Sequence, residues 1–401
     1  MGCSINPVTG KNEFSLVSEQ QELSLGKEHY LSGQQSQGGV YSVDPNLNAY
    51  VNRIGQSLAR VSNRPNLPYE FVVLNNDTPN AWALPGGKIA INRGLLVLME
   101  DEAQLASVLS HEIVHAAARH GASRMSQAML LQLGGSIIDG YTNGRYSQLA
   151  GFGSAAFQAR YSRLQEFEAD HYGIDYMVKM GYDPSAAVEL QQTFVELSQS
   201  RGQQSNWLSE LFASHPPSQE RVTAARQKAN NLPKGNRNKP AYQRAIRQIV
   251  RDKAAYQAHR DATAAANKKQ WRQAVVFTDK AIAAQPREAL FLITRARLYE
   301  HYDSNRNALT LYDRAIRLNS GYFAGYLHRG LLHHKIKQFA NAERDLLASN
   351  RLLETQPANF YLGEIALSKG QRQTAIRYYQ KAARSGGELQ KAALQRLKDL
   401  S

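Results

Sequence analysis

Two histidines and a glutamate stand at a spacing that suits hydrolysis at a metal ion. His111 and His115 are four residues apart, so on a helix both imidazoles lie on one face, about one turn from each other. Glu112 follows the first histidine and is placed to accept a proton rather than to bind the metal. A catalytic zinc ion takes three protein ligands and keeps one position for water. The spacing therefore predicts one Zn²⁺ per chain, with Glu112 as general base.

The third ligand has two candidates, and the first is His120. Related zinc motifs place a third histidine ten residues after the first, beyond a helix-breaking glycine. Here the offset from His111 is nine, and Ala118 occupies the place of that glycine. We therefore interpret His120 as a residue at the end of the helix, stabilised by the helix dipole.

The second candidate is a carboxylate on a later helix. Glu166 and Asp170 are four residues apart and share one helix face. One of them can bind zinc while the other accepts a hydrogen bond from a ligating imidazole, which sets the tautomer of that ring. Glu168 points elsewhere on this helix and is interpreted as structural or solvent-facing. Without the histidine pair, a solvated acidic helix face would be the better interpretation.

Several elements are predicted around these residues. Acidic residues open a helix over 101–120, and Gly121 is its expected end. The predicted helices besides it cover 18–30, 44–61, 161–180 and 186–198, and 33–39 is a predicted loop. Strands are expected over 69–74 and 88–91, the second after a turn at 85–87. The fold class is mainly α, with a small β-sheet.

A repeat follows residue 240, at spacings of 34, 34 and 33 residues. Small or apolar residues recur in register. The columns are Ala262, Ala296, Gly330 and Gly363; Ala274, Ala308, Ala342 and Ala375; Thr278, Tyr312, Leu346 and Tyr379; and Ala281, Ala315, Ser349 and Ala382. This pattern resembles the tetratricopeptide repeat, in which two antiparallel helices meet at small residues.

The motif from His111 to His115, followed fifty-one residues later by Glu166, resembles peptidase family M48. The segment 80–89 is similar to the family's sequence before its active-site helix. The resemblance implies a zincin-like peptidase fold, with Glu166 as the third ligand. Of the two carboxylates on the shared helix face, Asp170 then remains to accept the hydrogen bond from a ligating histidine. The resemblance covers about residues 15–225, and the repeats are similar to those of a periplasmic branch of the family.

A downstream segment, His215-Pro216-Pro217 with Arg221, resembles the family's His-Pro segment. The resemblance implies that His215 can occupy the fourth position of the metal and keep the enzyme latent. Alternatively, His215 donates to the oxyanion that forms during catalysis. Arg221 either holds this segment or stabilises developing charge, and a plain surface turn is the remaining interpretation.

Substrate contacts are expected at the strand of Lys88, Ile89, Ala90 and Ile91. An exposed strand edge binds an extended peptide through its backbone, without reading sequence. An ordinary sheet strand is the other interpretation, and the two are compatible. The glycine-rich segment 121–160 is interpreted as a lid or a substrate wall.

The distribution of charge and the single cysteine indicate where in the cell the protein acts and what it binds. The chain has 401 residues and a net charge of +14. Residues 241–401 carry 28 Lys and Arg against 13 Asp and Glu, which suits acidic clients or an anionic membrane face. No aromatic-rich basic motif supports nucleic-acid binding. Cys3 after Gly2 is similar to a trimmed bacterial lipoprotein signal, which predicts a lipidated periplasmic protein; a chance cysteine in a cytosolic protein is the alternative.

These observations predict a wrapping segment over 1–30, a metallopeptidase domain over 31–227, a linker over 228–240 and a repeat domain over 241–401. The predicted function is a zinc-dependent endopeptidase that hydrolyses misfolded or unassembled envelope proteins. Its repeats would recruit clients or an outer-membrane assembly machine. The alternative is a chaperone or adaptor for outer-membrane protein assembly whose peptidase is normally latent.

Overall fold

The computed structural model describes residues 3–136, 161–199 and 209–400. The chain forms two compact units. The first comprises Met1–Tyr30 and Asp44–Val250, and the second comprises Leu31–Val43 and Arg251–Ser401. Within the described ranges, no helix is long and apolar enough to cross a membrane. Helices dominate and the sheets are small, which confirms the predicted fold class.

The first unit combines two small sheets with a layer of helices. Its strands are β1 (Cys3–Ile5), β2 (Asn12–Phe14), β3 (Glu70–Leu74), β4 (Ala81–Leu84) and β5 (Lys88–Asn92). Its helices are α1 (Glu19–Ser36), α2 (Pro45–Arg60), α3 (Arg93–Leu96), α4 (Glu102–Ala117), α5 (His120–Ser136), α6 (Arg163–Lys179), α7 (Ser185–Gln199), α8 (Ser209–Ser214), α9 (Gln219–Ala229), α10 (Lys239–Ala245) and α11 (Arg247–Arg251). The last residues of α1 and α11 belong to the second unit.

The strand β5 lies in the middle of its sheet, in the order β3-β5-β4. β3 runs parallel to β5 and β4 runs antiparallel to it. Gly86 and Gly87 make the turn between β4 and β5 with φ of 76° and 80°, a region that favours glycine. The expectation that 88–91 offers an exposed edge is therefore wrong. β5 is paired on both sides and buried throughout, and a short apolar run has the same sequence pattern in either position.

The helix α4 carries the paired histidines and is buried along almost its whole length. Asp101 caps it by accepting a hydrogen bond from the backbone N–H of Gln104. The helix ends at Ala117, three residues before the predicted end, and Gly121 lies inside the next helix, α5. The pattern of apolar residues continues from one helix into the other, so it did not reveal the break.

The break between α4 and α5 is made by Arg119, which takes a left-handed φ of 59°. Its guanidinium donates to the Glu22 carboxylate and to the carbonyl of Val17. Both acceptors come from the N-terminal segment. Contacts distant in sequence therefore hold Arg119 in a backbone conformation that residues other than glycine rarely adopt.

The helix α6 begins at a capping box made by Ser162 and Gln165 and packs against α4. Gly173 of α6 lies so close to α4 that an added Cβ would be 3.2 Å from the backbone nitrogen of His111. The close approach brings the acidic face of α6 to the histidines of α4.

The segment 228–240 was predicted to be a linker, but in the structure it belongs to the first unit and most of it packs there. Asn236 pairs with Tyr182 in a parallel bridge. Arg237 donates to the Asp101 carboxylate, the cap of α4, at 2.8 Å. The boundary between the units falls at Val250 instead. Proline, glycine and asparagine predict a break in helix, but they do not distinguish a free linker from a bound loop.

The second unit is a series of helix pairs, which confirms the tetratricopeptide repeats. Its helices are α12 (Lys253–Asn267), α13 (Trp271–Ala284), α14 (Ala289–His301), α15 (Asn305–Leu318), α16 (Phe323–Lys335), α17 (Phe339–Leu352), α18 (Gln356–Ser368), α19 (Arg372–Ala382) and α20 (Glu388–Asp399). The four pairs from α12 to α19 pack internally, and the repeat columns are buried. A Cβ at Gly363 would lie 2.6 Å from the Tyr379 ring, which explains the small residue there.

The segment Leu31–Val43 also belongs to the second unit, although the sequence assigned it to the peptidase domain. Gln35 donates to the carbonyl of Gly321 at 2.7 Å and accepts from the backbone N–H of Phe323 at 2.9 Å. The first four residues of the predicted loop 33–39 form the end of α1 instead.

Candidate metal centre

Four side chains bring one ligand atom each to a common point. They are His111 and His115 of α4, Glu166 of α6 and His215 after α8. Their ligand atoms all lie within 4.8 Å of one another, and three of the four side chains are buried. The sequence predicted all four residues, and the fold brings the two carboxyl-terminal ones to the histidine pair from 51 residues or more along the chain.

Four of the six separations between the ligand atoms are close to those around a tetrahedral metal ion, and the carboxylate of Glu166 comes no nearer than 3.7 Å to Nε2 of His111. Nε2 of His111 lies 3.0 Å from Nε2 of His115 and 3.3 Å from Nδ1 of His215. Oε1 of Glu166 lies 3.1 Å from Nδ1 of His215 and 3.3 Å from Nε2 of His115. Four ligands at the usual bond lengths around a tetrahedral zinc ion lie about 3.3 Å from one another.

The ring of His111 is oriented by Asp170, the second carboxylate on the helix face of Glu166. Oδ1 of Asp170 lies 3.0 Å from Nδ1 of His111. Arg221 donates to both oxygens of the same carboxylate, at 2.6 and 2.8 Å. Burial by itself would raise the pKa of Asp170, but the charge of Arg221 outweighs burial and lowers this pKa to about 2. Asp170 is therefore ionised and accepts the Nδ1 proton, which leaves the lone pair of Nε2 to the ligand cluster.

The ring of His115 is neutral, because burial holds its pKa well below the ordinary value. Its Nδ1 is 2.8 Å from Nδ1 of His120, so its Nε2 also presents a lone pair when the proton sits on Nδ1. Two lone pairs only 3.0 Å apart repel each other unless a cation lies between them. The donor set therefore fits a divalent metal ion.

Glu166 is charged in spite of its position in the interior. Burial would raise its pKa, but His215 and Arg221 outweigh burial and hold the pKa well below its usual range. Nη1 of Arg221 lies 2.8 Å from Oε2, while Oε1 faces the histidines. Arg221 also donates to the carbonyl of Pro216 at 3.0 Å, so it holds the segment that carries His215. Of the two roles expected for Arg221, this contact favours the first.

Glu112 lies beside the ligand cluster, not in it. Its Oε1 is 3.6 Å from Nε2 of His215, and none of the described residues hydrogen-bonds its buried Oε2. Burial raises the pKa of Glu112. A carboxylate with a raised pKa and an unbonded oxygen is suited to accept a proton.

Two residues that the sequence analysis set aside also belong here. His120 is fully buried and contacts His115, and its Nε2 lies 3.1 Å from Oε2 of Glu168. The interpretation of His120 as a residue at the end of the α4 helix is therefore wrong, because His120 begins α5. Glu168, interpreted as structural or solvent-facing, pairs with it. Sequence spacing assumed one continuous helix through His120, whereas the turn at Arg119 redirects this residue. Tyr161 was not predicted as a site residue. Its ring stacks on that of His115, with the two ring centroids 3.6 Å apart.

The remaining predicted site residues lie apart from the cluster or beyond the description. Lys88 pairs with Glu70 and donates to the carbonyl of Pro68, so its ammonium group is already bound in the sheet. Cys3 lies in β1, and its side chain is outside the described part of the chain. In the expected lid, 121–136 is helix α5 and 137–160 lies outside the described residues.

Comparison with known proteins identifies the family. Residues 45–229 match peptidase family M48. Metalloprotease YcaL of Escherichia coli is 30% identical over 180 residues, which cover 42% of this chain and 68% of that protein. The chain belongs to peptidase family M48. The predicted class, a metallopeptidase joined to tetratricopeptide repeats, is confirmed.

Two further relatives are identical to this chain to a similar degree. The β-barrel assembly-enhancing protease of Escherichia coli is 31% identical over 237 residues, 56% of this chain and 47% of that protein. The mitochondrial metalloendopeptidase OMA1 of Schizosaccharomyces pombe is 31% identical over 224 residues, 54% of this chain and 63% of that protein. The chain thus spans about half the length of the first of these relatives.

We expect Asp170→Asn to weaken zinc binding by about 10- to 100-fold, because the ring of His111 loses its charged acceptor. The measurement is the dissociation constant for Zn²⁺ in competition with a chromophoric chelator. Asp175→Asn on the same helix, which loses only the pair with Lys228, is the matched control. Equal affinity of both variants and the wild type would contradict this role of Asp170.

Proposed function

We propose that this chain is a zinc-dependent endopeptidase. The observation that carries the proposal is the gathering of His111, His115 and Glu166 around one point, with the carboxylate of Glu112 beside them. Three such ligands and an adjacent base are the parts that metal-assisted peptide hydrolysis requires. The match to peptidase family M48 supports the proposal.

In this proposal each residue has a separate task. A bound zinc ion would polarise the scissile carbonyl and lower the pKa of the attacking water. Glu112 accepts the proton of that water and later passes it to the leaving amine. Asp170 and Arg221 keep the ring of His111 in place. The buried surroundings exclude bulk water, which strengthens every electrostatic interaction in the site.

The chain itself supplies a fourth ligand atom, Nδ1 of His215. A catalytic zinc site keeps one position open, whereas a site with four protein ligands is closed. The separations of 3.3 Å from Nδ1 of His215 to Nε2 of His111 and 3.1 Å to Oε1 of Glu166 support this role as a fourth ligand. We infer that this arrangement is latent and that His215 has to leave before water and substrate enter.

A pocket beside Glu112 suits an apolar side chain of a peptide substrate. Leu190, Phe194 and Leu211 line it together with His111 and Glu112. Ala81 also borders the pocket and belongs to β4, the terminal strand of the described sheet. An extended peptide added along β4 would place its backbone next to the ligand cluster.

The proposed clients are misfolded or unassembled envelope proteins, with the repeats recruiting them or an assembly machine. The similarity to the β-barrel assembly-enhancing protease of Escherichia coli supports this assignment. The surplus of positive charge in 241–401 suits acidic partners. The latent arrangement around His215 favours one alternative, a chaperone or adaptor whose peptidase is normally off.

We expect Glu112→Gln to lower casein cleavage by at least about 10²-fold while zinc content stays at one ion per chain. The amide keeps the shape of the side chain but cannot accept the proton. Metal analysis and casein cleavage on the same preparation check this, with Glu100→Gln, an exposed glutamate before α4, as control. Undiminished cleavage would contradict the base. Full rescue of an envelope-assembly defect by Glu112→Gln would favour the adaptor.

We expect His215→Ala to raise basal cleavage about tenfold or more, because a ligand contact of at least ~1.4 kcal/mol no longer has to be broken. His171→Ala, at an exposed position of α6, is the control. A loss of activity would count against the latent arrangement and favour the oxyanion role of His215.

We propose a periplasmic location with an acyl anchor on Cys3, on the basis of the Gly2-Cys3-Ser4 sequence. Mass spectrometry of the N-terminal peptide from the native host should then show an acylated cysteine. Cys3→Ser should release the protein from the membrane fraction. An unmodified cysteine behind a retained Met1 would support the cytosolic alternative.

A further inference from the structure

We propose that His120 and Glu168 are positioning residues for His115, and that they set the metal affinity of the site. The proposal rests on the proposed function in taking a divalent cation as the occupant of the site. Neither residue contacts the ligand point directly. They act through Nδ1 of His115, the nitrogen that faces away from the other ligand atoms.

The contacts form one chain across three helices. Nε2 of His115 faces the cluster, and Nδ1 of the same ring lies 2.8 Å from Nδ1 of His120. Nε2 of His120 lies 3.1 Å from Oε2 of Glu168. Both histidines are buried, and the Glu168 side chain is 23% exposed. The carboxylate therefore ends the chain near solvent, where its charge is hydrated.

When a cation occupies the ligand point, one set of proton positions satisfies every nitrogen in this chain. Glu168 is an acceptor, so Nε2 of His120 carries a proton and donates it. In the tautomer with its proton on Nε2, His120 has a lone pair on Nδ1, which accepts the Nδ1 proton of His115. Nε2 of His115 is thereby left with a lone pair directed at the cluster. This is the tautomer that a metal ion needs, and the carboxylate at the far end determines it.

The backbone around His120 is built to hold this contact. Arg119 takes its left-handed conformation through bonds to Glu22 and to the carbonyl of Val17. The turn places His120, only five residues after His115, back against the His115 ring. Tyr161 stacks on that ring with an angle of 13° between the planes, which restricts its rotation.

The two histidine ligands thus have matching supports. Asp170, itself held by Arg221, orients His111, and Glu168 orients His115 through His120. Both carboxylates come from α6, which also supplies the ligand Glu166. The supports differ in one respect: Asp170 contacts its ligand directly, whereas Glu168 acts through a second imidazole.

The test measures zinc affinity of the full chain, without reference to peptidase activity. We expect His120→Leu to weaken Zn²⁺ binding by about 10- to 100-fold in chelator competition, because Nδ1 of His115 loses its acceptor. Glu168→Gln should act in the same direction by a smaller factor. His120→Asn, whose amide oxygen can accept the Nδ1 proton of His115, should restore most of the affinity. A purely structural histidine would show no such rescue.

A second measurement reports on the ligand geometry. The visible absorption bands of bound Co²⁺ should shift in His120→Leu and return toward the wild-type positions in His120→Asn. In the double variant His120→Leu, Glu168→Gln, the affinity should equal that of His120→Leu, since Glu168 acts only through His120. Asp175→Asn on α6 is the matched control, and circular dichroism establishes that each variant is folded.

The outcomes separate this proposal from the proposed function. If the wild type binds no zinc, the proposed function fails. If the wild type binds zinc and the affinities of His120→Leu and Glu168→Gln equal it, the positioning roles are overturned while the peptidase assignment stands. If His120→Leu does not fold, Glu168→Gln and His120→Asn decide the question. Additive effects in the double variant would also overturn the proposed chain.

Discussion

Gly173 packs so tightly on α4 that an added Cβ would lie 3.2 Å from the backbone nitrogen of His111. This contact between α6 and α4 is the constraint on which the site depends. Because the two helices approach so closely, the short acidic face of α6 reaches both histidines of α4. A larger side chain at position 173 would push the two helices apart and leave these carboxylates further from the rings.

The same packing buries several charges that would be unstable by themselves. Taking a carboxylate out of water costs several kcal/mol unless partners and hydrogen bonds compensate. The positive charge of Arg221 compensates the carboxylate of Asp170 and also lies against Oε2 of Glu166. Oε1 of Glu166 faces the histidine nitrogens. The Nε2 atoms of His111 and His115, which both present lone pairs, lie 3.0 Å apart. A cation between them removes the repulsion of these lone pairs. Metal binding and the folding of the α4–α6 pair should therefore be coupled.

The proposed latency depends on the four ligand atoms that lie close together in the structure. His215 reaches the cluster from a short segment after α8, and Arg221 holds that segment through the carbonyl of Pro216. Arg221 also pairs with Glu166 and Asp170 of α6, so one guanidinium joins these carboxylates to the segment that carries His215. Displacing His215 thus perturbs a contact of Arg221, which offers a physical route from a bound partner or substrate to the state of the metal site.

The sequence by itself determined what depends on local periodicity. The spacing of His111 and His115, the helix face shared by Glu166 and Asp170, and the repeat columns all follow from the 3.6-residue turn or the 34-residue period. Only the tertiary structure decided that β5 is a central strand, that 228–240 is docked, and that His120 turns back to His115. Each of these depends on contacts distant along the chain. The left-handed Arg119, held by Glu22 and Val17, shows the reason most clearly, since nothing in the residues next to it requires that conformation.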